Sequence, residues 1–219
     1  MFRRRLLNTA KGLSLSLGLS LGLAALPLAA AHAWEARVEG MKNHWERLIT
    51  EQPEGERREG LKSLAGQAER LVAEHPDEAL PRVWHGIIEA SHARERSGLG
   101  ALSSARAARD ALERAVELDP RGADGSAYVT LGALYDRVPG GLVGFGDSGT
   151  AERMFQQALS IRPEGIDVNF YYAAFLAEEG RRDEAREHAR RAVEGEARPD
   201  RDASDEALRE EARALLERL

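Results

Sequence analysis

The chain has 219 residues, with 31 Lys and Arg against 37 Asp and Glu, no cysteine and 5% aromatic residues. The missing cysteine excludes a disulfide scaffold, a thiolate metal site, a cysteine nucleophile and a cysteine-borne lipid. The first 33 residues hold Arg3, Arg4, Arg5 and Lys11 and no acid, and setting those four charges aside takes the net charge from −6 to −10. So acidic a body lacks the basic face that displaces phosphate counterions, which excludes sequence-independent nucleic-acid binding, and it lacks the charge to dock on anionic lipid.

In chain order, a basic start, the uncharged run Leu13 to Ala30 and the small-x-small sequence Ala31-His32-Ala33 have the layout of a secretory signal peptide. The expected signal is residues 1–33, cleaved after Ala33. What remains, 34–219, is expected to be a single periplasmic domain with no stable membrane anchor. Downstream, apolar residues recur at helical spacing and no strand pattern occurs. The reading is all-α, with helices predicted at 35–50, 57–75, 80–96, 103–118, 126–136, 150–161, 167–179, 182–194 and 203–218. Glu51 to Glu56 and Gly195 to Arg201 read as charged linkers, and the 203–218 helix as a terminal cap with one polar side.

Three segments share one spacing. Ala108-x3-Leu112-x2-Ala115-x4-Pro120 matches Ala151-x3-Phe155-x2-Ala158-x4-Pro163, and Leu64-x3-Ala68-x2-Leu71-x4-Pro76 matches with its first alanine replaced. A fourth, Ala185-x3-Ala189-x2-Ala192, lacks the proline. Steps of four and three residues fall on one helix face, where alanine permits close approach of a neighbour and proline ends the helix. Asp124 and Asp167 stand four residues after their prolines and are expected to cap the next helices. Gly132 follows Leu131 where two helices would cross, and Gly180 precedes Ala185 at the spacing of a tight interhelical turn. The expected packing set is Ala108, Leu112, Ala115, Gly132, Ala151, Phe155, Ala158, Gly180, Ala185 and Ala192.

These residues resemble tetratricopeptide repeats, whose unit of about 34 residues is a helix-turn-helix. The resemblance covers Leu61 to Val193, with its clearest units at 80–120, 125–163 and 167–197. It implies an α-solenoid of antiparallel helix pairs that binds another protein or a peptide segment. Proline-to-proline distances of 44 and 43 residues imply insertions in the second and third pairs, near Gly98-Leu99-Gly100 and from Asp136 to Gly149. The latter, with Phe145-Gly146-Asp147 and Asp167-Val168-Asn169-Phe170-Tyr171-Tyr172, is similar to exported bacterial repeat proteins and to the T component of TRAP-type solute transporters. That narrower likeness implies a partner such as a transporter's solute-binding protein, or an apolar ligand.

Other motifs carry less. Gly144-x-Gly146-x-x-Gly149 has the letters of a dinucleotide loop but no strand before it. Its glycines read as an ordered loop, with Asp147 or Ser148 capping the next helix. His85, Glu89 and His92 lie on one helix, poor geometry for closing a tetrahedral metal site, and read as solvated outer-face residues. His44, His75 and His188 read as surface residues, no nucleophile elbow occurs, and no cofactor, metal or catalytic centre is expected. The candidate binding surface is the groove and insertion loop: Tyr128, Tyr135, Pro139, Phe145, Asp147, Asn169, Phe170, Tyr171 and Tyr172. Successive helical residues turn by about 100°, so the last three cannot share a direction, and one of them is expected to face the groove.

Overall fold

Small and aliphatic residues spaced three and four apart give each helix one apolar stripe, and each stripe needs a neighbour to cover it. In the computed structural model, which describes residues 33–219, the helices are α1 (Ala33–Glu51), α2 (Glu54–Glu74), α3 (Ala79–Arg94), α4 (Gly98–Leu118), α5 (Ser126–Arg137), α6 (Ser148–Ile161), α7 (Ile166–Glu178), α8 (Arg182–Glu194) and α9 (Asp202–Arg218). Residues 1–32, which are all of the expected signal except Ala33, lie outside that range. There is no strand among the described residues.

The helices pack as antiparallel neighbours: α3 on α4, α5 on α6 and α7 on α8, with α9 covering α7 and α8. The odd-numbered helices also touch along the stack, α3 on α5 and α5 on α7, while α1 joins α3 through Trp45 against Trp84, ring centroids 5.7 Å apart. Ala108, Leu112, Ala115, Ala151, Phe155, Ala158, Ala185 and Ala192 are all buried. The same junction recurs from pair to pair. Gly132 lies beneath the Phe155 ring, Gly86 beneath Leu112, and Ala173 packs with Ala189. Gly180 sits in the turn, exposed, at φ 77°, and the Arg181 amide donates to Leu176 O at 2.8 Å, a Schellman closure of α7.

Four expectations are corrected. Gly98 to Gly100 is no loop: α4 starts at Gly98, so the extra length of the second pair is spent on a 21-residue helix. Asp124 and Asp167 are not caps, since glycines 125 and 165 hold those positions. Asp124 turns to Arg121 and Asp167 into a buried ion pair. His92 is not solvated but buried between α3 and α4, its Nδ1 3.3 Å from Ser104 Oγ. Gly195 to Arg201 is more than a linker, because it buries Arg201 against distant helices.

Candidate partner-binding groove

The odd-numbered helices form one face of the stack, and the segment between α8 and α9 crosses it. Each contact is made by a charged residue of that segment or by the first turn of α9. Lys42 of α1 pairs with Asp200 at 2.7 Å, and Glu46 Oε1 accepts from the Ser204 amide at 2.6 Å. Arg198 reaches Ser126 Oγ at the start of α5 (3.5 Å) and Asp167 of α7 (3.1 Å). It also grips Asp205 of α9 through Nε at 2.9 Å and Nη2 at 2.5 Å. Arg162 holds the other oxygen of Asp167 at 2.5 Å. Burial alone would raise the Asp167 carboxyl, but the guanidinium groups of Arg198, Arg162 and Arg201 hold it below its ordinary range.

Arg201 lies against both indoles, its guanidinium carbon 4.5 Å from the Trp45 ring centre and 5.3 Å from that of Trp84. Such stacking rewards a cation on an aromatic face. Burial, and then the neighbouring charge of Arg198, push its pKa down to about 10. Where the segment stops short of filling the face, a groove of about 460 Å³ remains. Its walls are α1 (Val38, Lys42), α3 (Leu80, Val83, Trp84, Ile87), the α4–α5 turn and residues 198–201. The floor is aliphatic and aromatic, and the rim carries both signs of charge. A second cavity of about 590 Å³ lies beyond it, at the α6–α7 turn and the end of α8.

The other irregular element is the loop 138–147, between α5 and α6. Its arms run close together: Gly146 N donates to Pro139 O at 3.1 Å and Asp147 N to Tyr135 O at 2.9 Å. A Cβ on residue 146 would stand 1.8 Å from Val138 O, so glycine is required there for backbone to meet backbone. Asp147 caps α6 by accepting from Thr150 N at 2.6 Å, and that bond holds its carboxyl below the usual range. At the tip, Leu142 and Val143 are exposed, and Arg106 donates to Val143 O.

A family model described as the tetratricopeptide repeat matches residues 142–204. Residues 142–204 thus match that repeat, and the described helices share its fold of packed antiparallel pairs. Among solved structures, it is similar to TTC0263, a thermophilic tetratricopeptide-repeat protein of Thermus thermophilus. The two are 18% identical over 87% of this chain and 94% of that one, with a TM-score of 0.54. It also aligns with MamA at 19% identity, 81% of this chain and 95% of that one, and a TM-score of 0.46. No curated protein matches the chain. Repeats of this kind are protein–protein interaction modules, and their scaffold is typically non-catalytic.

Within the repeats, the sequence-predicted groove residues scatter. Tyr128 is buried with its hydroxyl donating to Pro120 O, and Tyr172 is buried with its hydroxyl on Glu152 Oε1 at 2.9 Å. Phe170 packs on Ala192 and Ala212. Asn169 is fully buried, its amide tying Pro163 O and Gly165 O and its carbonyl oxygen 2.8 Å from His188 Nδ1. These four side chains therefore serve the core. Of the three consecutive aromatics, Tyr171 is the half-buried one, under Arg137 at 5.5 Å. Phe145 turns inward, edge-on to Tyr135 with centroids 5.5 Å apart and with Arg109 over its ring at 4.5 Å. The Tyr135 hydroxyl donates to Glu113, and burial followed by that bond pushes its pKa up to about 12. Pro139 is exposed on the loop. The groove residues that sequence reasoning missed are Trp84, Arg162, Arg198 and Arg201, with Trp45 stacked behind Arg201. A pair of tryptophans among only three in the chain was the one available signal.

Proposed function

We propose that this protein is an exported, periplasmic interaction module that holds an extended segment of a partner protein in the groove between α1, α3 and the 198–201 segment. It acts as an adaptor, without catalysis. The observation that carries the reading is the groove itself: an apolar floor at Val38, Leu80 and Trp84 within a charged rim, on a repeat scaffold of the interaction type. Apolar floors supply affinity and charged rims supply orientation. Export rests on the basic start, apolar run and small-x-small end of the first 33 residues.

The test is a photocrosslinking residue placed at position 80, in the groove wall, and in parallel at Glu187, exposed on α8. In intact cells the first yields one discrete protein adduct, lost when Val38→Glu is added, and the second does not. Equal adducts from both positions overturn the groove. A small molecule that copurifies with the protein, with no adduct at position 80, would instead favour a solute-binding, transport-accessory role. Export predicts a mature chain that begins at Trp34 and is recovered from the periplasmic fraction.

A further inference from the structure

Arg201 is nine-tenths buried, and its Nε has no hydrogen-bond partner. The acids that face it are committed elsewhere. Asp167 of α7 serves Arg162 and Arg198, and Asp205 of α9 serves Arg198. Glu46 of α1 spends one oxygen on the Ser204 amide, and its other oxygen meets no donor, Arg201 included. Two indole faces fix the guanidinium, yet no carboxylate among the described residues pairs with it, and it lines the groove beside Trp84. A desolvated cation with no carboxylate hydrogen-bonded to it is costly, and an anion that reached it would bind in an environment where charge pairing is strong.

From this we infer that the groove selects an extended segment carrying an aspartate or glutamate, whose side-chain carboxylate pairs with Arg201 while flanking apolar residues lie on Leu80 and the exposed edges of Val38 and Trp84. The inference rests on the groove reading above. A side chain fits better than a chain end, because the lining continues past Arg201 to Ser126 and Arg162, so the groove runs along the stack and a bound chain passes through it. The ligand's acid enters as a replacement for the ion pair that Arg201 lacks, without disturbing the Asp167–Arg198–Asp205 network beside it.

The probes are random decapeptides, N-acetylated and C-amidated, so that aspartate and glutamate side chains are their only carboxylates. Binders are selected on the purified full-length chain and compared with twins in which each acid becomes its amide. The expected result is an acid at one fixed position, at least tenfold weaker binding of its amide twin, and Arg201→Met binding both twins alike. The wild-type comparison does not depend on the variant folding. Acid and amide twins that bind wild type equally overturn the Arg201 assignment, and if Leu80→Glu still abolishes them the groove reading stands. Binding that ignores Leu80→Glu, or no binding by any peptide, removes both. A preference that appears only when the peptides carry free C-termini overturns the side-chain assignment in favour of a chain end.

Discussion

A methyl group on residue 132 would stand 2.6 Å from Phe155 Cε1, closer than non-bonded carbons come. Helix propensity alone favours alanine over glycine by about 1 kcal/mol, and displacing a buried ring costs about 1–3 kcal/mol. Gly132→Ala should therefore lower the denaturation midpoint, whereas Gly40→Ala, on exposed α1 surface with nothing within 4 Å, should raise it. Midpoints that move the same way would refute the junction at Gly132. This contact was legible in the sequence because Gly132, in the helix ahead of Ala151-x3-Phe155, stands where the two helices were expected to cross. The aromatics of α7 were not legible in the same way. That helix is covered by α5, α6, α8 and α9, so most of its residues are buried and no polar face betrays which aromatic looks out. Asn169 read as a ligand contact for the same reason, yet its amide is satisfied entirely by local carbonyls and His188.

At the scale of elements, every expected helix is present, and the disagreements fall in the connections. A helix is written in its own period, but a loop is fixed by what it reaches. Phe145 belongs to the loop 138–147, and its contacts are on α4 and α5. An edge-to-face pair and a cation on the ring are together worth about 1–2 kcal/mol. Phe145→Ala should thus lower stability by about 1 kcal/mol and open the 139–144 tip to protease, while Leu142→Ser, fully exposed, should change neither. A loop that stays resistant in Phe145→Ala would mean that the backbone bonds at Gly146 and Asp147 suffice to hold it. The segment between α8 and α9 misled in the opposite direction. Its arginines and acids have the composition of a solvated linker, and their partners on α1, α3 and α7 lie too far away in sequence for any local pattern to announce them.

For the molecule as a whole, those distant partners change the expected energetics. A repeat stack is ordinarily a chain of nearest-neighbour interfaces, in which one end can fray without the other noticing. Here Glu46 and Lys42 of α1 bond to Ser204 and Asp200, and Arg201 rests on Trp45, so the first helix is tied to the start of the last. Arg198 holds that segment in place through Asp167 and Asp205. Removing one member of a buried ionic network typically costs about 3–5 kcal/mol, because the partners left behind cannot return to water. Arg198→Met should destabilise the protein by that order. Since the segment would lose its hold on α7 and α9 together, amide hydrogen exchange in α1 should accelerate along with that in α9. A surface variant such as Arg114→Ala, whose ion pair is with its exposed neighbour Glu117, should leave both unchanged. Faster exchange confined to α9, with α1 as protected as in the wild type, would mean that α1 is stabilised by α2 and α3 alone. The crossing segment would then be a passenger on the face of the stack, carrying no coupling between its two ends.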